Sequence, residues 1–240
     1  MKNGHTAIRE QDGEPSADAR LNALRERVTA ACSRAGRAPH EVRIAAVSKT
    51  FGPNDVSALA QAGQTVFGES RVQEARQKIP LCPGHLEWHM VGHLQRNKVK
   101  DILPWCTLLH SADSLELLER LDTACEASGR SLAVLLEVNL AGESSKYGFA
   151  AEEIPGILER AGAWIRLDVI GLMTLPPFHE DPERSRQYFR RLRELRDHAR
   201  ATSGFDLPEL SMGMSNDFEV AIEEGATWIR PGTLLFRRRA

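Results

Sequence analysis

The sequence predicts an α/β protein folded as a (β/α)₈ TIM barrel with a helix in front of it, and three observations carry that prediction. Eight short apolar runs alternate with helical patterns along a chain of 240 residues. The runs are almost continuously apolar, as in a parallel sheet covered by helices, and not half polar as in an open antiparallel one. No GxGxxG follows the first run, and the phosphate-type signals lie at the far end of the chain, which disfavours a doubly wound sheet. The chain is slightly short for a barrel of this kind.

Residues 1–17 are polar, carry Gly and Pro and lack an apolar signal-peptide core, which predicts a disordered arm ahead of one domain over 18–240. Leu21, Leu24, Val28 and Ala31 recur at helical spacing, and Gly36 follows as a stop. The first strand is 42–48. Its helix, "GPNDVSALAQAG", takes an N-cap at Asn54 or Asp55. "TVFGES", "LEWHMVG", "WCTLLHSAD" and "SLAVLLEVNL" are the next strands; the helices after the first three are "RVQEARQKI", "LQRNKVKDIL" and "SLELLERLDTACEASG". A Gly- and Ser-bearing loop, "AGESSKYGF", leads to "AEEIPGILERAG", with Pro155 in the first turn. "IRLDVIGLMTL", "LPELSMG" and "ATWIRPGTLLF" complete the strands. The arginine-rich helix around 184–200 reads as the outside of the barrel, and "SNDFEVAIEEG" as a helix capped by Ser215.

A net charge of −2 gives no basic excess for nucleic acid or an anionic membrane. No apolar run reaches the ~18 residues needed to span a bilayer. The terminal "RRR" is a short cationic tail. Cys32, Cys82, Cys106 and Cys125 show no CxxC spacing and read as reduced thiols of a cytoplasmic protein. His89 and His93 are spaced i,i+4, but on a strand end that spacing does not share a face, so no metal site is predicted.

The chemistry starts at "RIAAVSKT", where a strand fit for the interior ends in Lys49. Barrel active sites sit at strand C-terminal ends. With its stem among apolar neighbours there, the Lys49 amine is expected to fall below the ~10.4 of a free lysine and to form an imine with a carbonyl. That chemistry serves a Schiff-base aldolase or a site for pyridoxal 5′-phosphate (PLP), and both require an anion cradle. "SMGMSNDF" and "RPGTLLF", at the ends of strands seven and eight, supply Gly213, Ser215, Gly232 and Thr233 for one.

The segments "AAVSKT", "WHMVGHLQRNK", "HSADS", "VNLAGESSKYGF", "GLMTL" and "LSMGMSNDFEVAIEEGATWIRPGT" resemble, in order, the YggS/PROSC family of PLP-binding homeostasis proteins. That family is itself similar to the N-terminal barrel of alanine racemase, of PLP fold type III. The resemblance implies PLP as the cofactor, bound as an internal aldimine on Lys49. It implies that Ser215, the backbone around Met214, Gly232 and Thr233 hold the phosphate. Arg230 would face the pyridine nitrogen, and Met173 and Ser211 would line the ring pocket. Ser70 stands where Asn is expected in relatives, and "LFRRRA" lacks the usual "FG". Arginine is a permanent donor, so the ring nitrogen would stay unprotonated and the electron sink weak. Nothing after Ala240 supplies the second base that alanine racemase draws from its added β-domain, and neither Tyr147 nor Tyr188 fits that role. The implied protein is a cytoplasmic monomer with little or no turnover that carries, buffers or regulates PLP and meets apo-enzymes transiently. Lys146 is a second, weaker candidate for handling it.

Overall fold

The computed structural model describes residues 15–143 and 147–236. The arm over 1–14, Lys146 and the "RRR" tail lie outside the described residues. Nine parallel segments make one sheet: β1 (Arg43–Ile44), β2 (Ala46–Val47), β3 (Val66–Glu69), β4 (Glu87–Met90), β5 (Cys106–Ala112), β6 (Leu132–Glu137), β7 (Leu167–Met173), β8 (Glu209–Ser211) and β9 (Trp228–Ile229). β1 and β2 are halves of the predicted first strand. β1 pairs with β9 and β2 with β3, so one run carries the pairing from the last strand to the second and the sheet curls into a barrel. The seam is backbone hydrogen bonding: Ala45 N–H donates to Ile229 O at 3.0 Å, Val47 N–H to Pro231 O at 2.9 Å and Ser48 N–H to Gly68 O at 2.9 Å. All eight predicted strands are present.

The helices are α1 (Ala17–Arg34), α2 (Pro53–Gln61), α3 (Val72–Lys78), α4 (Val99–Ile102), α5 (Leu115–Ser128), α6 (Ile154–Ala161), α7 (Arg186–Ser203) and α8 (Phe218–Glu223). The main core fills the space between sheet and helices, with Leu21, Leu24 and Val28 of α1 in it as their spacing predicts. A smaller cluster, Ala45, Leu108, Leu135, Met173 and Trp228, fills the barrel itself. Alternation along each strand separates the two.

Two caps differ from expectation. α2 starts at Gly52 with Pro53 at its first turn, and Asp55 reaches back to accept from Gly52 N–H at 3.0 Å. Pro needs no N–H partner, so it takes the first helical position and moves the cap upstream. α8 starts at Asp217, not Ser215, and the Asp217 carboxylate accepts from Met214 N–H at 2.8 Å. The helix expected over 94–103 shrinks to a 3₁₀ turn and the single turn of α4.

α7 is outside the barrel, as predicted, but its arginines are not merely solvated. Arg186 Nη1 and Arg190 Nη2 reach Glu224 Oε1 at 3.2 and 3.0 Å, and Arg193 reaches its Oε2 at 3.0 Å. Burial pushes Glu224 up, yet hydrogen bonds from Arg190 and Arg186 leave it below the usual carboxylate range. On the other side, Arg27 pairs with Glu219 and Arg34 with Glu223. α8 is therefore fastened by α1 and α7, and with it the 212–217 loop that opens onto the barrel mouth. The chain end closes the same face: Leu235 and Phe236 are buried, and Phe236 stacks on Phe51 at 4.7 Å.

Candidate functional site

At the C-terminal mouth of the barrel lies a cavity of about 530 Å³. Lys49 is on its rim; Met214, Ser215, Arg230, Gly232 and Thr233 line it; Ser70, His93 and Phe178 complete the wall. Six of the eight residues singled out from the sequence thus share one hollow. Met173 does not line it but is buried inside the barrel. Ser211 also stays out of the wall and touches the site through Arg230.

Lys49 is exposed, which corrects the expectation of a stem kept among apolar neighbours. The cause is local. Ser48 makes the last sheet hydrogen bond, and Thr50 turns the chain out of the barrel with φ of 69°. A β-branched residue in left-handed backbone stores about 1–3 kcal/mol and persists only where its surroundings enforce it. Here the enforcement is a buried lysine. Lys78 Nζ donates to Ser48 O at 2.7 Å, Glu69 Oε1 at 2.7 Å and Glu74 Oε1 at 2.8 Å. Glu74 Oε1 in turn accepts from Thr50 N–H at 2.6 Å, and Ser48 Oγ donates to Glu69 Oε1 at 2.5 Å. The backbone on both sides of Lys49 is clamped while its side chain is left free. Burial pushes the Glu69 carboxyl up, opposed by hydrogen bonds from Lys78 and Ser48.

Arg230 has the opposite arrangement. Its side chain is buried and doubly held: Nη1 donates to Ser211 Oγ at 2.5 Å and Nη2 to Thr174 O at 3.0 Å. Burial lowers it to about 10, which leaves it cationic at neutral pH. Beneath it a hydrogen-bonded chain runs through the barrel: Ser211 Oγ to His110 Nδ1 at 2.7 Å, His110 Nε2 to His89 Nδ1 at 3.0 Å, and His89 Nε2 to Glu87 Oε1 at 3.0 Å. Its two ends have fixed roles. Arg230 can only donate, and a hydrogen bond from His89 holds Glu87 below the usual carboxylate range as an acceptor. Burial, with the positive charges of its surroundings, keeps His110 well below the ordinary histidine value and neutral. A neutral His110 has one ring nitrogen to donate and one to accept, so it links His89 on one side to Ser211 on the other.

Ser215 does not cap α8. Its hydroxyl accepts from Gly232 N–H at 3.1 Å, tying the two last loops together. At Gly232 a Cβ would meet Val47 O at 3.2 Å, so glycine lets this loop lie against the first strand. Gly213, at φ 92°, has no room for a Cβ, which would lie 2.6 Å from Ala221 Cβ. Glu137, at the end of β6, is raised to about 7 by burial and by the nearby Asp113 charge, with Arg230 opposing. Among the described residues no cluster of three or more His, Cys, Asp or Glu could hold a metal.

Sequence reasoning missed Glu69, Glu74 and Lys78 of the clamp and the His110–His89–Glu87 chain. The available signal was polarity out of place: His110 interrupts an apolar strand, and Glu69 ends one.

The model of the alanine racemase N-terminal domain matches residues 19–239. A pyridoxal phosphate homeostasis protein of Aquifex aeolicus is 43 % identical over 221 residues, covering 92 % of this chain and 97 % of that one. The chain belongs to the pyridoxal phosphate homeostasis protein family. A second member, from Pseudomonas aeruginosa, is 41 % identical over 216 residues, covering 89 % of this chain and 91 % of its own length. Among solved structures, PipY of Synechococcus elongatus with PLP bound superposes with a TM-score of 0.81 at 33 % identity, covering 92 % of this chain and 99 % of that one. Family membership agrees with the barrel and the N-terminal helix, and no described helix is long and apolar enough to cross a membrane.

Proposed function

We propose that the chain binds PLP as an internal aldimine on Lys49 and serves PLP homeostasis as a carrier or buffer with little or no turnover. The observation that carries this is one cavity with a reachable amine on its rim and hydroxyl and backbone donors on its far wall, in a chain of the same family as a PLP-bound structure. The donors fit the cofactor. The Ser215 and Thr233 hydroxyls are the groups to hold a phosphate, with Gly232 N–H turning to it from Ser215 Oγ, and a cavity of about 530 Å³ falls in the range of small-ligand sites.

PLP supplies an aldehyde for the amine and a ring that can accept electrons. Arg230 is already held by Ser211 and Thr174, and as a cation it leaves a ring nitrogen facing it to accept, which weakens that acceptance. An exposed Lys49 on an open mouth suits exchange of the cofactor over retention. Loaded protein should absorb in the visible, and Lys49→Ala should abolish the band. Transfer to an apo-enzyme should outpace spontaneous release, and a racemase assay on the loaded protein should stay near background. Robust racemisation, or transfer no faster than release, contradicts the carrier reading. We further propose a cytoplasmic monomer, which sedimentation at several concentrations tests.

A further inference from the structure

We propose that His93 is the acid–base group that makes and breaks the Lys49 imine, an inference that rests on the Lys49 reading above. His93 and Lys49 line the same cavity, and His93 also lines a neighbouring hollow of about 800 Å³. It therefore stands at the wall between the mouth and the open, polar groove beside it.

Its placement is built. Nδ1 lies 2.6 Å from Asp113 Oδ2, and the Asp113 side chain is 5 % exposed. The imidazole stacks on Tyr147 at 3.6 Å with 9° between the rings. The preceding Gly92 is fixed on both sides: its carbonyl accepts from Ser111 Oγ at 2.6 Å, and a Cβ there would lie 2.6 Å from Ser70 O. The Asp113 carboxylate accepts from Nδ1–H, so Nε2 is the working atom, and it has no hydrogen-bond partner among the described residues. An oriented imidazole with one nitrogen held and the other free is the arrangement of a general acid–base.

The reaction balances without another reagent. The neutral Lys49 amine adds to the aldehyde carbon, the C=O electrons move to oxygen, and one N–H proton passes to that oxygen, giving a carbinolamine. Imidazolium Nε2–H then passes its proton to the carbinolamine hydroxyl, which leaves as water while the nitrogen lone pair forms the C=N bond. Release is the reverse: neutral Nε2 takes a proton from the attacking water, and the C=N electrons return to nitrogen. His93 lowers the barrier in both directions and leaves the equilibrium alone.

The test is stopped-flow absorbance of PLP capture by the apo-protein and of release from the loaded protein. In His93→Ala both rate constants should fall about a hundredfold, the usual size of such catalysis, with equilibrium occupancy changing far less than either rate. Added imidazole should restore part of the loss. Asp113→Asn should slow both rates less, because the ring remains but loses its orientation. Unchanged rates, a loss that imidazole does not reverse, or an occupancy that falls as far as the rates each overturn the proposal, the last two by making His93 a wall residue only. Absence of a borohydride-trapped adduct in the unaltered protein overturns the Lys49 reading and this one together. Trapping with unchanged rates overturns this one alone.

Discussion

The rim of the barrel mouth and the floor beneath it are held in opposite ways. At the rim, Lys78, Glu69 and Glu74 grip the backbone on either side of Lys49 and leave its side chain to solvent. At the floor, Ser211 and Thr174 grip the Arg230 side chain itself, with His110, His89 and Glu87 behind Ser211. A group that must form and break a covalent bond needs a fixed origin and a free end. A group that must present constant charge needs a fixed end. The two networks are separate, so each can be broken alone.

The largest effect should come from the rim. Lys78→Met leaves Glu69 buried beside Glu74 with no cation, and loss of one partner of a buried pair costs about 3–5 kcal/mol. Chemical denaturation should show that loss, and capture of PLP by the folded fraction should fall as well. A variant with full stability and normal capture would reduce the clamp to ornament.

Glu137, which feels the charges of Asp113 and Arg230, sharpens the contrast by pH. Burial raises it to about 7, above its unfolded value. Its stabilising contribution is therefore complete below about pH 4.5 and is lost as pH rises through about 7. Glu137→Gln should match the parent near pH 4 and exceed it at pH 8 by about 3 kcal/mol. Parallel stability curves would place its carboxyl in water.

The floor should give way more gently. Ser211→Ala removes the acceptor for Arg230 and the hydroxyl partner of His110, a loss of about 1–3 kcal/mol for a buried polar pair left unmatched. Because capture depends on the rim, the PLP capture rate should change little in this variant. A collapse of capture with intact stability would join the two regions.

Much of this was legible in the chain. Apolar runs and caps give eight strands and their helices because those signals are local. Lys49 after "RIAAVS" and Ser215 and Gly232 after the last two strands follow from one rule, that barrel sites lie at strand C-termini. The clamp was hidden because Lys78 sits in "RVQEARQK", where a charged residue reads as solvent-facing; only the packing of α3 on β3 turns it inward. The histidine chain depends on register between strands far apart in sequence, and His110 lies 101 residues from Ser211. Ser215 misled for the same reason. Its nearest donor is Gly232 N–H, 17 residues on, and not the helix that follows it. The exposure of Lys49 turned on one dihedral, at Thr50, which no composition or period announces.

The smallest effect tests that dihedral. Thr50→Gly relieves left-handed strain but adds backbone entropy to the unfolded chain, so stability should rise by about 1 kcal/mol or less. Capture of PLP should slow, because the departure angle of Lys49 is no longer fixed. Unaltered capture would show that the clamp alone sets the amine.

The central claim is that the free-ended lysine, and no other amine, takes the aldehyde. Borohydride reduction of the PLP-loaded protein, followed by peptide mapping by mass spectrometry, reads this directly. A single reduced pyridoxyl phosphate adduct is expected, on the peptide carrying Lys49. An adduct on Lys146 or Lys78 in its place, or no adduct while PLP remains bound, would contradict it.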